Sequence, residues 1–207
     1  MDNHTQRSAF SFVMATMLMA AAATVAMALL TGKARAADPW SGCGTNLHGS
    51  LMSVGSDIGP GFFIGARGET IGASVLCDVQ MDKVVVGGFV EYDRPMGTLW
   101  DLGLRSDITV GGRLGYLPQP TTLLYAHAGR AWWETDGAGT FEGWKIGVGS
   151  ELRLPTTAPL FLDVRYTRAY VEDTGAPSNV TGDSVRLGLT FKFGAGIGSL
   201  AKTAPLK

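Results

Sequence analysis

The chain has 207 residues, with 17 lysines and arginines against 18 aspartates and glutamates, and a formal net charge of −1. This length corresponds to one domain, and the balanced charge argues against a nucleic-acid partner, which requires a basic surface. Glycine is abundant, with 29 residues, although no collagen-like period or glycine–serine linker accounts for them.

The N-terminal segment has the features of a secretory signal peptide. Residues 9–30 carry no charge, Arg7 precedes them, and the small-residue sequence Ala34-Arg35-Ala36 follows. A basic start, an apolar run and a small-residue site are typical of a cleaved export signal, so we predict a signal peptide over 1–36. The apolar run is also long enough to cross a bilayer as an uncleaved helix, which is the alternative that this pattern leaves open.

Beyond this segment, alternating apolar and small or polar residues recur as far as Phe193. Such alternation is the pattern of a β-strand with one apolar face. We predict eight strands, at 42–53, 70–80, 83–93, 107–117, 122–132, 143–154, 160–170 and 184–193. Strands in lipid must close into a barrel, because no water satisfies an open edge. The sequence therefore predicts an all-β fold, an eight-stranded antiparallel up-and-down transmembrane β-barrel over 37–193, followed by a C-terminal periplasmic tail at 194–207.

The connections between the predicted strands alternate in length. Short ones lie at 81–82, 118–120 and 155–159, and longer ones at 54–69, 94–106, 133–142 and 171–183. Short periplasmic turns and long external loops are typical of outer-membrane barrels. We therefore expect both termini in the periplasm and the long loops at the cell surface.

Alternation alone does not say which face points outward, because a soluble lipocalin-like barrel alternates with its apolar residues inside. The faces predicted to point outward, such as that of Ile108, Val110 and Leu114, carry almost no charge, which favours lipid. Aromatic residues also recur near the strand ends, as expected at bilayer interfaces. They are Tyr92, Trp133, Trp144 and Tyr170 at the outer level and Tyr116 and Phe193 at the inner level.

The faces predicted to point inward carry charges of both signs. They are Asp78, Glu91, Arg113, Lys145, Glu151, Arg153, Asp163, Arg165, Arg186 and Lys192. In one interpretation these side chains line a conducting path. An eight-stranded barrel, however, leaves room for little beyond side chains, so we favour the interpretation that they pair with one another and fill the interior.

Cys43 and Cys77 are the only cysteines. The predicted strands place them near the same end of two antiparallel neighbours and on the outward face, and export brings them into an oxidising compartment. A disulfide requires their Cα atoms within about 7 Å. A register slip of one residue would turn one sulfur inward, and the alternative is two free thiols against lipid.

The last strand ends in the octet Arg186-Leu187-Gly188-Leu189-Thr190-Phe191-Lys192-Phe193. Its order resembles the C-terminal assembly signal of bacterial outer-membrane barrels, with Arg186, Gly188, Phe191 and Phe193 at the matching positions. The resemblance implies the barrel assembly machinery and the outer-membrane bilayer as partners. The chain departs from the usual pattern because it continues beyond Phe193 to Lys207.

Several strand blocks resemble those of small eight-stranded porin-like outer-membrane proteins. The blocks are 80–87, 112–116, 124–129, 143–149 and 164–166, in this order between an export signal and the octet. The resemblance implies the same barrel fold and location. Members of this family have been linked to haem binding, which implies haem as a candidate ligand.

No motif for catalysis is evident. After the predicted signal peptide the histidines are His48 and His127, and neither has the spacing to a serine and an acid that a hydrolase requires; no metal-ligand cluster stands out either. We therefore predict a non-enzymatic outer-membrane protein with a structural or surface-interaction role and no cofactor. The alternatives are binding of a ligand such as haem, narrow-channel porin-like transport, and, less favoured, a membrane-embedded lipid hydrolase.

Overall fold

The computed structural model describes residues 39–59, 62–97, 99, 103–136, 139–172 and 180–193. The predicted signal peptide at 1–36 and the predicted tail at 194–207 lie outside the described residues. No helix in the described part of the chain is long and apolar enough to cross a membrane.

Eight antiparallel strands form one closed barrel, in which each strand pairs with its neighbours in sequence and the first pairs with the last. The strands are β1 (Gly42–Gly59), β2 (Phe62–Met81), β3 (Val84–Met96), β4 (Leu104–Gln119), β5 (Thr122–Thr135), β6 (Gly139–Arg153), β7 (Leu160–Glu172) and β8 (Val180–Phe193). This confirms the predicted all-β, eight-stranded up-and-down barrel.

The strand register gives the barrel its stagger. The row of directly paired residues that starts at Cys43 passes once around the barrel and returns to β1 at Ser53, ten positions from 43 to 53. A stagger of this kind tilts the strands and limits the interior of an eight-stranded barrel to the volume of its own side chains.

The strands continue further toward one end of the barrel than the sequence predicts. The connections there shrink from the predicted long loops to 60–61, 97–103, 136–138 and 173–179. Glycine, aspartate and threonine suggested loops, but a strand continues wherever its neighbour still supplies backbone hydrogen bonds, which overrides local propensity. We call the end of the barrel with these four connections the loop end. The opposite end, where Gly42 and Phe193 lie and where short connections join β2 to β3, β4 to β5 and β6 to β7, is the turn end.

Alternate residues of each strand point outward and inward, as predicted. Large apolar side chains are exposed on the outside, for example Leu114 and Val148 at 59 % each and Leu187 at 58 %. A water-facing surface of this kind would be unfavourable, whereas the same belt is stable against lipid. The outer belt therefore supports the membrane barrel over the soluble alternative.

Two residues lie elsewhere than predicted. Trp133, predicted at the outer aromatic level, is buried inside the barrel, because it has the same inward parity as Ala131 and its neighbour Trp132 has the outward one. Arg153, predicted inside, is exposed. It is the last residue of β6, where the interior ends and alternation no longer determines burial.

Candidate functional site

The barrel interior contains two clusters of paired charges. The turn-end cluster consists of Asp78, Arg113, Glu151 and Lys192. The loop-side cluster consists of Glu91, Asp93, Asp107, Asp163, Lys145, Arg165 and Arg186. All of these side chains lie at inward positions of their strands and are buried. Burial of so many charges is tolerated only because each has an opposite charge beside it.

The turn-end cluster is balanced in charge. Arg113 donates from Nε to Oδ1 of Asp78 over 2.9 Å and from Nη2 to Glu151 over 3.0 Å. Lys192 donates from Nζ to Oδ2 of Asp78 over 2.9 Å and lies 3.6 Å from Glu151. Two carboxylates therefore share two cations, and each carboxylate contacts both of them.

An apolar cluster closes the turn end below these charges. It consists of Trp40, Val85, Leu117, Leu123, Tyr125 and Phe161. Trp40 is completely buried and donates from Nε1 to the carbonyl oxygen of Pro120 over 3.1 Å. The Nζ atom of Lys192 lies 4.8 Å from the centre of the Trp40 ring and 4.9 Å from that of Phe161, within the range of a cation–π contact.

The loop-side cluster is centred on Glu91. Arg186 donates to both oxygens of Glu91 and, over 3.0 Å, to Asp93, and Arg165 donates to Glu91 over 2.7 Å. Lys145 pairs with Asp107 and lies 3.8 Å from both Glu91 and Asp93. Four carboxylates here face three lysines and arginines, so this cluster has more acids than the turn-end cluster.

A smaller apolar group lies above the loop-side cluster. Ala131, Trp133 and Ala169 are buried together, with Leu104 and Val171 packed against them. Lys145 Nζ lies 6.0 Å from the centre of the Trp133 ring. A cavity of about 20 Å³ adjoins this group, which is space for about one water molecule.

Between the two clusters lies a layer that contains His127. His127 is buried inside the barrel, where its Nε2 lies 3.1 Å from Oγ1 of Thr167. Its ring makes an edge-on contact with Phe89 and a tilted contact with Tyr125, with ring centres 6.0 Å and 6.1 Å away. A side chain at Gly147 would overlap the His127 ring. Glycine at this inward position is therefore required by crowding.

Three buried side chains have the composition of a metal site. His48, Glu91 and Asp93 bring one donor atom each within 4.8 Å of one another. His48 Nε2, however, lies 2.8 Å from Asp93, and Arg186 contacts both carboxylates. A metal ion would have to displace the Arg186 guanidinium, so we interpret these residues as part of the ion-pair network.

The two histidines inside the barrel have hydrogen-bond partners other than serine. His48 Nδ1 lies 2.7 Å from Oδ1 of Asn46, and its other nitrogen faces Asp93. Among the described residues, neither His48 nor His127 has a hydrogen bond to a serine hydroxyl. His127 faces the hydroxyl of Thr167 instead, with Nε2 3.1 Å from Oγ1.

Nine of the ten predicted interior charges lie inside the barrel, and Arg153 is the exception. Sequence reasoning missed Asp93 and Asp107, although both have an inward parity: Asp93 is two residues after Glu91, and Asp107 is six residues before Arg113. It also missed Trp40, which precedes β1 and therefore has no alternation that would assign it to the interior.

The two cysteines form a disulfide. Cys43 of β1 pairs directly with Cys77 of β2, with Cα atoms 3.9 Å apart, at outward positions of both strands. In the octet, Arg186 and Gly188 point inward, whereas Phe191 and Phe193 point outward with ring centres 5.2 Å apart. The role of these four residues as an assembly signal stays a prediction.

A closed eight-stranded barrel with an apolar outer belt and a polar, ion-paired interior defines the class of small outer-membrane β-barrel proteins. Among solved structures the fold matches neisserial surface protein A, with a TM-score of 0.51 and 16% identity over 74% of this chain and 98% of that one. No family model and no curated protein matches the sequence.

Two further outer-membrane barrels superpose less closely. The attachment invasion locus protein Ail of Yersinia pestis matches with 16% identity and a TM-score of 0.44, over 74% of this chain and 99% of that one. The outer membrane protein OprG of Pseudomonas aeruginosa matches with 15% identity and a TM-score of 0.37, over 74% and 96%.

Proposed function

We propose that this protein is a non-enzymatic integral β-barrel of the bacterial outer membrane, with a structural or surface-interaction role. It inserts after export and removal of 1–36, with both termini in the periplasm. The observation that carries the proposal is the filled interior. Ion-paired side chains span it, and a buried tryptophan lies near each end, Trp40 at the turn end and Trp133 at the loop end.

The ion pairs argue against transport. Arg113, Arg165 and Arg186 are each less than 10 % exposed and each contacts at least one buried carboxylate. A solute would have to break such pairs to pass, and the loss of one partner of a buried pair costs about 3–5 kcal/mol. A protein with a structural role passes no solute through its interior, so its ion pairs can stay intact.

The packing around the histidines argues against a ligand of the size of haem. His48 and His127 are both buried. The ring nitrogens of His48 face Asn46 and Asp93, and Nε2 of His127 faces Thr167, whereas Nδ1 of His127 has no hydrogen-bond partner among the described residues. The cavity of about 20 Å³ beside the loop-side cluster is far smaller than a small-molecule site, which occupies about 300 Å³ or more.

The loop end supports a role in surface contact. β1 pairs with β8 only as far as Ser56, and β2 pairs with β3 only from Glu69. The two strands nevertheless continue to pair with each other as far as Gly59 and Phe62. A two-stranded ribbon, formed by 57–59 and 62–63, therefore extends beyond the strand pairs on either side and is the part of the described barrel best placed to reach a partner.

Conductance separates a scaffold from a channel. The purified mature chain is reconstituted in a planar bilayer, with a general porin as the positive control. We expect no channel openings above the background of the empty bilayer. Regular openings from the wild-type protein would instead support the narrow-channel alternative.

A ribbon deletion separates a surface role from a purely structural one. Replacement of 57–63 by a short turn should leave the barrel intact, since Ser56 and Ile64 are directly paired and the β1–β8 pairs that close the barrel end at Ser56. If the role is surface contact, cells with the shortened protein lose adhesion but keep their resistance to detergent. If the role is structural, the complete gene deletion lowers detergent resistance and the shortened protein restores it.

A further inference from the structure

The disulfide lies at the seam where the barrel closes. Cys43 pairs with Cys77 of β2 on one side and with Phe193 of β8 on the other. β1 and β8 are far apart in sequence and meet only when the barrel closes, whereas β1 and β2 form a local hairpin. The bond therefore joins the one hairpin that must offer its free edge to the last strand.

β1 has few side chains that determine its own register. Between Cys43 and Ser53 its only large apolar residues at outward positions are Leu47 and Leu51. Its inward Asn46 and His48 have their partners on β8 and β3, not on β2: Asn46 donates to Thr190 over 2.8 Å, and His48 faces Asp93. Across to β2 it makes one side-chain hydrogen bond between described residues, which joins the hydroxyl groups of Ser50 and Thr70.

Alternation protects a strand against only one kind of register error. A slip of one residue turns every side chain to the opposite face and is strongly disfavoured. A slip of two residues keeps every side chain on its own face, so the inward and outward pattern does not prevent it. Such a slip would change the ten-residue stagger, from 43 to 53, with which β1 meets β8.

The disulfide distinguishes the native register from a slip of two. A bond requires Cα atoms within about 7 Å, and the Cα atoms of Cys43 and Cys77 are 3.9 Å apart. After a slip of two the cysteines would be diagonal neighbours, about 7–8 Å apart, at or beyond that limit. The bond can therefore form easily only in the register that closes the barrel.

We propose that the Cys43–Cys77 disulfide is a register lock, which forms in the β1–β2 hairpin before the barrel closes and fixes the edge to which β8 pairs. The thiolate of one cysteine attacks the disulfide of a dithiol–disulfide exchange protein in the periplasm, which gives a mixed disulfide. The other thiolate then displaces the exchange protein. The two cysteines lose two electrons and two protons, and the exchange protein leaves as a dithiol. Closure of the barrel thereby depends on the redox state of the compartment.

Refolding with and without the bond tests this order of events. The mature chain is unfolded in urea with the cysteines oxidised, or as the Cys43→Ser/Cys77→Ser variant, and diluted into detergent micelles. The folded fraction is the fast-migrating band on an unboiled detergent gel. We expect the oxidised chain to fold several-fold faster or in several-fold higher yield. Equal rates and yields would overturn the proposal.

Reduction after folding distinguishes a disulfide that is needed only while the barrel closes from one that stabilises the closed barrel. Oxidised wild-type protein is folded first and then treated with a reductant, and its unboiled migration is compared with that of an untreated sample. We expect the compact band to persist, because the complete ladder of β1 with β8 holds the register once the barrel is closed. Loss of the compact band would show that the bond maintains the barrel and would overturn its assignment to closure.

Two relocated bridges test register directly in the Cys43→Ser/Cys77→Ser background. Thr45→Cys with Val75→Cys joins a directly paired, outward couple, and Thr45→Cys with Ala73→Cys joins outward positions that are two residues out of register. We expect the oxidised first bridge to restore fast folding and the oxidised second bridge to prevent closure until it is reduced. Equal acceleration by both bridges would mean that any tether suffices, and the register lock would be wrong.

Discussion

The two ends of the barrel interior contain the same kinds of buried residue but differ in how many apolar residues surround them. Each combines a buried tryptophan with a buried lysine and its carboxylates: Trp40 with Lys192 at the turn end, and Trp133 with Lys145 at the loop end. The turn end surrounds its tryptophan with five further buried apolar or aromatic residues, and Lys192 is completely buried. The loop end has two small alanines and a cavity beside them.

The difference shows where the rigidity of the barrel lies. At the turn end, close packing excludes water, so each ion pair there is strong and its loss is severe. At the loop end the packing is looser, and a water molecule can substitute for a missing partner. We therefore expect paired substitutions at the two ends to differ in effect even where the removed groups are chemically alike.

The largest difference is expected for the aspartates. Asp78→Asn leaves Arg113 and Lys192 to share Glu151, a buried excess of positive charge, and should lower the free energy of unfolding by about 3–5 kcal/mol. Asp107→Asn removes one of four loop-side carboxylates, and Lys145 still lies 3.8 Å from Glu91. We expect that cost to stay near 1 kcal/mol or less, roughly the range of a substitution that leaves no unpaired charge.

Urea unfolding in lipid vesicles, followed by the unboiled gel band, measures both aspartate variants. Asp78→Glu and Asp107→Glu, which keep the charge, serve as controls for size alone. Equal losses from the two asparagine variants would show that the two clusters tolerate charge imbalance equally, and the comparison of the ends would fail.

The tryptophans give the next largest difference. Trp40→Ala removes the centre of the turn-end apolar cluster and its hydrogen bond to Pro120, so we expect a loss of about 3 kcal/mol or more in the free energy of unfolding. Trp133→Ala should cost about half as much, because its cavity joins space that already admits water. The same gel assay is suitable, since it does not depend on tryptophan fluorescence; a greater loss for Trp133→Ala would reverse the assignment of the rigid end.

Much of this interior could be predicted from the sequence, because alternation within a strand assigns faces without knowledge of the partners. Nine of the ten charges placed inside by that rule are inside. The rule failed for Arg153 because alternation does not show where a strand leaves the barrel. It was not applied to Trp133, where an aromatic residue near a strand end suggested a bilayer interface although its parity pointed inward.

The pairing of the charges could not be predicted in the same way. Lys192 bonds to Asp78, 114 residues away in sequence, because closure brings β8 beside β1 and the stagger then sets the heights of all strands. Neither the pairing of β8 with β1 nor the stagger of the barrel can be predicted from the sequence of a single strand. Trp40 belongs to no strand, so the closure of the turn end left no periodic signal in the sequence.

A smaller loss in the free energy of unfolding is expected from substitutions on the outer face. Their relative costs locate the bilayer midplane between the two ends of the barrel. On β6, Val148 lies four residues from Trp144 toward one side and four from Leu152 toward the other, with all three exposed. Val148→Arg should cost at least about 2 kcal/mol near the bilayer midplane, and Leu152→Arg about 1 kcal/mol or less near the interface. Urea unfolding in vesicles measures the free energy of unfolding of both variants. An equal cost at both positions would mean that the apolar belt is not centred at Val148, between the levels of Trp144 and Leu152.

The smallest effect on stability is expected at Phe193, although its effect on assembly should be large. The Phe193 side chain points outward at the turn end, is 48 % exposed and contacts the Phe191 ring, so Phe193→Ala removes few contacts of the folded barrel. We expect its refolding in detergent to match the wild type, whereas its level in the outer membrane of cells should fall several-fold, because Phe193 is the terminal aromatic of the octet. Tyr116→Ala, an exposed aromatic at the same end but outside the octet, should leave both measurements unchanged. Normal outer-membrane levels of Phe193→Ala would show that 194–207 or another strand is read during assembly.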